Sequence, residues 1–105
     1  MPVPKVKITV VRKVDMRDLW GEENLGAAAG FEPLCPYYHV GDEFIVTQTE
    51  PPQGFCVSAF HDIYRYIFAL RTGSNFPWMA KTGEALACCT DAFRPVVFKI
   101  ERLDE

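Results

Sequence analysis

The amino-acid sequence predicts an α+β fold: a small antiparallel or mixed sheet of about four strands, with one long helix packed on one face. Two observations lead to this prediction. Segments in which apolar and polar residues alternate flank a single long segment with helical periodicity. The last two alternating segments are joined by a short turn, which favours antiparallel pairing. A small half-open barrel, with the helix plugging one end, is the alternative architecture.

The long helix is predicted over residues 55–73. Its apolar residues recur with the i, i+3, i+4, i+7 spacing of a face that packs on a core: Cys56, Ala59, Phe60, Ile63, Ile67 and Leu70. Two prolines, Pro51 and Pro52, limit where this helix can begin, because proline disfavours helical backbone in the residue before it. Gly73 is suited to end the helix, since glycine adopts a left-handed conformation without steric cost.

Period-two alternation and β-branched residues predict strands over residues 5–14, 43–48, 85–90 and 95–103. Between the first two strands, Asp15 is placed to cap a short helical turn over residues 15–20. A flexible glycine- and alanine-rich connection is expected over residues 21–30. The elements therefore follow the order strand, connection, strand, helix, strand, strand.

Composition limits the classes of function. The chain has 105 residues, which we take as a single domain over residues 1–105, with 49% apolar and 24% charged residues. A net charge of −3 argues against nucleic acid as the main partner, because binding phosphates needs a positive surface. The sequence has no apolar run typical of a signal peptide or a membrane span. We therefore expect a cytoplasmic protein without membrane contact.

Four cysteines in a cytoplasmic chain are expected to be reduced thiols, metal ligands or redox groups rather than structural disulfides. Cys56 falls at the start of the long helix, where unpaired N–H groups and the helix dipole favour an anion. Such a thiol is a candidate nucleophile or metal ligand, whereas a free cysteine is more often a small buried apolar residue.

The other cysteines also lie near the ends of predicted elements. Cys35 precedes Pro36 in a turn, and His39 follows four residues later, a spacing at which two ligands can converge. Cys88 and Cys89 are adjacent, so in a strand they point to opposite faces. We favour Cys89 as the functional residue of the pair, because it lies at the strand end beside Asp91.

These positions lead to a hypothesis of convergence. If Cys35, Cys56 and Cys89 meet at one edge of the sheet, they form a soft site suited to Zn²⁺ or iron, with His39 and Asp91 as weaker candidate ligands. Spacing alone does not establish this convergence, and no Cys-x₂-Cys pair typical of a zinc finger occurs.

A short polar loop after the helix contains the bulky side chains of Phe76, Trp78 and Met79. They either fold back over the core or cover a neighbouring subunit, since a cluster of exposed apolar groups marks an interaction site. These three residues are therefore candidates for partner binding, and the protein is expected to be a homo-oligomer.

Several motifs carry a resemblance to a known family: the Cys35-Pro36 turn, the Gly-Phe-Cys56 entry to the helix, and the ending Cys-Thr-Asp-Ala-Phe-Arg-Pro-Val-Val-Phe-Lys-Ile over residues 89–100. The chain resembles a family of small uncharacterised bacterial proteins, frequent in anaerobes. The resemblance implies a fold and a cysteine pattern, in which Cys89 matches the third family cysteine, and it implies no reaction. The loop at Gly73 departs from the Gly-Gly pair expected of relatives.

Three functions remain open at this point. The first is a small homo-oligomeric protein whose thiols form a metal or redox-linked site. The second is a non-catalytic interaction module in which the cysteines are structural and the loop with Trp78 binds a partner. The third is an enzyme that uses Cys56 as a nucleophile, although no base motif accompanies it.

Overall fold

A computed structural model of the chain describes residues 3–103. Its helices and strands are β1 (Val6–Lys13), α1 (Met16–Trp20), β2 (Glu43–Val46), α2 (Val57–Arg71), β3 (Glu84–Cys88) and β4 (Val96–Arg102). The four-stranded sheet and the helix α2 confirm the predicted α+β class and the predicted order of elements. No helix within these residues is long and apolar enough to cross a membrane.

The sheet is antiparallel throughout, with the strand order β2-β1-β4-β3. The N-terminal and C-terminal strands, β1 and β4, form its centre, and their register is shifted between Val10 and Arg12 by a bulge or irregularity. Strands β2 and β3 form the two edges. Every strand pair is antiparallel, so the alternative of a mixed sheet is wrong. Within the described residues β2 and β3 do not pair with each other, which favours an open sheet over the half-open barrel.

The core follows the predicted alternation. Buried residues of all four strands, of α2 and of the turns before it form one cluster: Val6, Ile8, Val10, Tyr38, Val46, Phe55, Ala59, Phe60, Ile63, Ile67, Leu70, Ala85, Val96, Phe98 and Ile100. Helix α2 contacts β1, β3 and β4. The helix supplies the residues that its periodicity indicates, apart from Cys56, which is only partly buried and packs against this cluster.

Both ends of α2 have identifiable causes. Cys56 is the N-cap residue and has extended backbone angles, so the helix begins directly after it. At the other end Gly73 has φ +94°, and the N–H groups of Gly73 and Ser74 donate to the carbonyls of Leu70 and Ala69. This pair of bonds is a Schellman motif, which confirms the predicted role of Gly73.

The last turn of α2 is tied to β2 and to the N-terminal segment by Arg71. Its guanidinium donates to the backbone carbonyls of Pro4, Thr47 and Gln48 at 2.8–2.9 Å. Bonds from a charged donor are stronger than neutral ones, so this residue fixes the direction of α2 across the sheet.

The connection between β1 and β2 is more ordered than the sequence indicates. Asp15 caps α1 as predicted, with its side chain accepting from the Arg17 N–H. Two short 3₁₀ turns, Glu22–Asn24 and Gly26–Gly30, follow in place of the expected flexible stretch. Met16, Leu25 and Ala28 bury each other in a second small cluster, which gives this segment its own apolar contacts.

The loop after α2 that contains Phe76, Trp78 and Met79 contacts the helix through stacked aromatic rings. The ring of Phe76 lies 5.6 Å from that of Tyr66 on α2, and the ring of Trp78 lies 5.2 Å from that of Phe76. Phe76 and Met79 are partly buried, whereas Trp78 is 72% exposed. Of these rings, those of Tyr66 and Phe76 pack against the core.

Candidate thiol site

One cavity of about 300 Å³ is lined by Cys35, Cys56 and Cys89. The three cysteines come from separate parts of the chain, namely the turn before β2, the N-terminus of α2 and the end of β3. All of them are free and partly buried. The cavity also includes Asp91, one of the weaker candidate ligands.

Cys56 enters the cavity because it precedes the first turn of α2. As the N-cap residue it makes no side-chain capping bond, so its thiol is not held by the helix. Its backbone N–H donates to the Tyr38 hydroxyl at 3.0 Å. Ser58 and Ala59 of the first helical turn also line the cavity, where the dipole of the helix favours negative charge.

The turn that carries Cys35 is held by a lysine from β1. Lys13 Nζ donates to the carbonyl of Cys35 at 3.1 Å and to that of Tyr38 at 2.7 Å. Tyr38 itself is 2% exposed, and burial raises the pKa of its hydroxyl. Its ring thus anchors the Cys35 turn in the core, while its hydroxyl meets the N-terminus of α2.

Cys89 directly follows β3, at the end of the pairing between β3 and β4. Its N–H donates to the Val96 carbonyl at 3.1 Å, and the Val96 N–H donates to its sulfur at 3.3 Å. Burial raises the pKa of the Cys89 thiol, an effect that backbone N–H groups of Val96 and Asp91 partly oppose. The Cys89 thiol therefore keeps its proton to a higher pH than an ordinary thiol does.

The raised pKa of Cys89 makes stability depend on pH in a defined direction. Burial favours the neutral thiol in the folded state. The contribution of Cys89 to the free energy of unfolding is therefore complete below the ordinary thiol pKa of about 9, and it is lost as the pH rises above that pKa. We expect the free energy of unfolding to fall more steeply above pH 9 in the wild type than in Cys89→Ala.

Urea unfolding at a series of pH values measures this difference, and subtracting the two curves cancels the ionisations that both proteins share. Cys88→Ala serves as a control, because Cys88 is exposed and lies outside the cavity. Parallel curves for the wild type and Cys89→Ala would contradict the assignment.

Helix α2 is held to the β3 end of the cavity by Asp62. Its carboxylate accepts from the backbone N–H of Thr90 at 2.8 Å and from the Thr90 hydroxyl at 3.0 Å. Both residues line the cavity. This contact fixes the distance between the N-terminal part of α2 and the segment that carries Cys89.

Arg94 contributes the cation among the cavity residues. Its guanidinium lies over the Phe31 ring, 5.5 Å from the centroid, and donates to the Glu32 carbonyl at 3.4 Å. Its Nε is buried without a hydrogen-bond partner in the described part of the chain. The Asp91 carboxylate accepts from the backbone N–H of Arg94 at 3.3 Å, a contact that runs through the main chain of Arg94.

The remaining candidates lie elsewhere. His39 is exposed, its N–H donates to Asp42, and it does not line the cavity. Cys88 is exposed on the other face of β3, as the alternation within the strand predicts. Among residues 3–103 no three His, Cys, Asp or Glu side chains are grouped closely enough to hold a metal ion. The thiols therefore share a cavity without forming a preassembled metal cluster.

Sequence reasoning missed three residues that build this cavity: Tyr38, Lys13 and Asp62. Tyr38 and Asp62 look like ordinary packing and helix-surface residues, and Lys13 falls on the polar side of the alternation in β1. Each role depends on a partner that is distant in the sequence. Lys13 contacts a residue 22 positions away, Asp62 one that is 28 positions away, and the Tyr38 hydroxyl one that is 18 positions away. No local pattern encodes such pairings.

No family model, no curated protein and no solved structure matches the chain. The resemblance to the family of small bacterial proteins therefore stays a prediction.

Proposed function

We propose that the protein binds a soft divalent metal ion, Zn²⁺ or Fe²⁺, through the thiolates of Cys35, Cys56 and Cys89. The observation that supports this most strongly is the single cavity that all three cysteines line. Thiolates suit these metals, and a carboxylate such as Asp91 or a water molecule completes a tetrahedral set. The proposal takes the protein to be cytoplasmic, where free thiols persist.

Binding requires the side chains to rearrange, because the described residues hold no preassembled cluster. Rotation about χ1 moves a cysteine sulfur by about 3 Å, since the three staggered positions are 120° apart. Cys56 is free for such a rotation, as its thiol makes no capping bond. Changes of rotamer of this size are the rearrangement by which we propose that the three sulfurs approach one another.

Burial raises the pKa of the Cys89 thiol, so a metal displaces its proton at a greater cost than the proton of an ordinary thiol. The loss of the Val96 N–H contact to its sulfur is not required, since a metal-bound thiolate still accepts hydrogen bonds. We therefore expect metal affinity to fall steeply as the pH is lowered, with protons released on binding.

A cobalt titration of protein purified without oxygen tests the proposal. Co²⁺ reports on zinc sites because thiolate coordination gives charge-transfer absorption in the near ultraviolet. We expect the wild type to bind one equivalent, with the affinity at least about 100-fold lower in Cys56→Ser, because loss of a direct ligand exceeds the effect of an outer-shell change. Competition with Zn²⁺ and a chelator supplies the dissociation constants.

Cys88→Ser is the matched control, since this neighbour of Cys89 is exposed and lies outside the cavity. It should bind metal as the wild type does, whereas Cys35→Ser and Cys89→Ser should resemble Cys56→Ser. A wild type that shows no thiolate-to-cobalt absorption would refute the proposal. So would an equal loss of affinity in Cys88→Ser, because binding would then lie outside the cavity.

A second candidate function, a non-catalytic interaction module with structural cysteines, is favoured by the exposure of Trp78. This side chain stacks on Phe76 and leaves 72% of its surface accessible. Large exposed aromatic residues are typical of interaction surfaces. A metal-free protein in which the cavity thiols all react slowly with alkylating reagents would favour this function over metal binding.

A further inference from the structure

The edge strand β3 has an outer side that no other strand pairs with among residues 3–103. Hydrogen bonds at its two ends show which residues face that side. The Arg102 N–H donates to the Gly83 carbonyl, and the Cys89 N–H donates to the Val96 carbonyl. Because hydrogen-bonded positions alternate along an antiparallel pair, Ala85 and Ala87 also face β4.

The backbone groups of Glu84, Leu86 and Cys88 therefore point away from the sheet. The segment with unpaired outward backbone groups is centred on Leu86, because it extends two residues to Glu84 on one side and two residues to Cys88 on the other. Towards the N-terminus β3 begins at Glu84, and towards the C-terminus the next outward N–H, that of Thr90, is donated to Asp62. Only a register centred on Leu86 uses all of the free groups.

The outer side of β3 lacks the features that usually protect an edge strand. The strand contains no lysine, no proline and no bulge. Its single charged residue, Glu84, is 8% exposed and pairs with Lys99 at 3.3 Å. No net charge therefore opposes the approach of a second strand.

The opposite edge of the sheet is better protected. Strand β2 has four residues and carries Glu43, which is exposed and pairs with Lys7. Directly after β2 the carbonyls of Thr47 and Gln48 are taken by Arg71. The two edges differ, and β3 is the one open to further pairing.

We propose that β3 pairs with β3 of a second copy of this chain, antiparallel and with the two-fold axis at Leu86. Leu86 then faces Leu86 of the partner subunit, and Glu84 faces Cys88 of the partner subunit. Each of the three opposed positions exchanges two backbone hydrogen bonds, and two sheets join into one continuous sheet. Closed two-fold dimers are the commonest assemblies of identical chains.

Side chains beside the edge fit this partner. Leu86 is 53% exposed, so pairing across the axis removes apolar surface of both copies from water. A groove of about 450 Å³ follows the same edge and is lined by Tyr66 of α2 together with Leu86 and Cys88. The second strand covers this groove.

Sedimentation equilibrium of the full chain under reducing conditions tests the proposal. We expect the wild type to dimerise and Leu86→Pro to raise the dimer dissociation constant by about 100-fold, because proline removes the outward N–H at the axis. The ladder with β4 is unaffected, since the Leu86 N–H does not face it. Leu86→Lys should raise the constant by about 10-fold, because it removes the apolar contact at the axis and opposes two like charges.

Leu86→Thr is the matched control, because it keeps the N–H, introduces no charge and loses only apolar contact across the axis. It should dimerise more weakly than the wild type but more tightly than Leu86→Pro and Leu86→Lys. Thermal unfolding by circular dichroism shows whether each variant folds, and Leu86→Lys keeps the test valid if Leu86→Pro does not. In a Cys88→Ser background, Leu86→Cys should form an intermolecular disulfide on mild oxidation, as opposed Cα atoms lie about 5.5 Å apart. A monomeric wild type, or a dimer that Leu86→Lys leaves unchanged, would overturn the proposal.

Discussion

Replacement of Phe98 by alanine is expected to lower the free energy of unfolding by about 3–5 kcal/mol. Phe98 is fully buried at the centre of β4, and its ring lies 5.4 Å from the rings of both Tyr38 and Phe55. Alanine leaves a cavity that the antiparallel neighbours of β4 cannot close, because the sheet fixes their backbones. Folded domains have about 5–15 kcal/mol of stability in total, so this variant is close to unfolding.

Val97→Ala is the control for this change, since Val97 is the next residue of the same strand and points to the opposite, partly exposed face. We expect it to cost less than about 1.5 kcal/mol. Urea unfolding followed by circular dichroism compares the two variants, with equal m-values indicating that both keep the native compactness. Similar losses in Phe98→Ala and Val97→Ala would show that the aromatic cluster does not form the centre of the core.

The same alternation that distinguishes Phe98 from Val97 explains why much of the fold is predictable. In β1 and β4 the apolar residues that alternate in the sequence are those buried against α2. The helix is equally well encoded, because periodicity, the proline break and Gly73 agree with one another. Each of these features depends on residues that are close together in the sequence, and such local relations can be recognised from sequence patterns.

The strand order and the structure of the connection between β1 and β2 are harder to predict from the sequence. The order β2-β1-β4-β3 places the first strand beside the last, and this pairing depends on contacts across almost the whole chain. Residues 21–30 contain small side chains that fit either a flexible segment or the observed 3₁₀ turns. Their order depends on the burial of Leu25 and Ala28 against Met16, which no periodicity indicates.

The candidate site shows the same division. Parity in a strand predicts that Cys88 and Cys89 point to opposite faces, and the structure places Cys89 towards the cavity and Cys88 on the exposed face. Cys89 itself is favoured because it lies at the strand end beside Asp91. The position of Cys56 follows from the start of α2. His39 illustrates the limit of spacing arguments, because four residues around a turn leave it exposed while Cys35 faces the cavity.

Tyr38 connects the core to the thiol cavity, although its sequence context marks neither role. Its ring packs on those of Phe44, Phe55 and Phe98, with centroid separations of 5.4–5.9 Å. Its hydroxyl accepts the N–H of Cys56. One side chain therefore sets both the packing beneath the cavity and the position of the cysteine that begins α2.

Two substitutions of Tyr38 should separate these roles. Tyr38→Ala removes the ring and is expected to lower the free energy of unfolding by about 3–4 kcal/mol. Tyr38→Phe keeps the ring, removes only the acceptor of the Cys56 N–H, and is expected to cost about 1 kcal/mol. Urea unfolding measures both values, and the cobalt titration shows how far each change disturbs the thiols.

The exposed aromatic residue Phe68 provides the control, because it is 56% accessible and lies outside the thiol cavity, and Phe68→Ala should cost less than about 1.5 kcal/mol. If the Tyr38 ring positions Cys35 and Cys56 together, Tyr38→Ala must weaken cobalt binding more than Phe68→Ala does under conditions where both remain folded. Tyr38→Phe should bind nearly as well as the wild type, since a backbone N–H at a helix N-terminus finds water as an alternative acceptor. An unchanged affinity in folded Tyr38→Ala would mean that the cavity keeps its shape without the aromatic core beneath it.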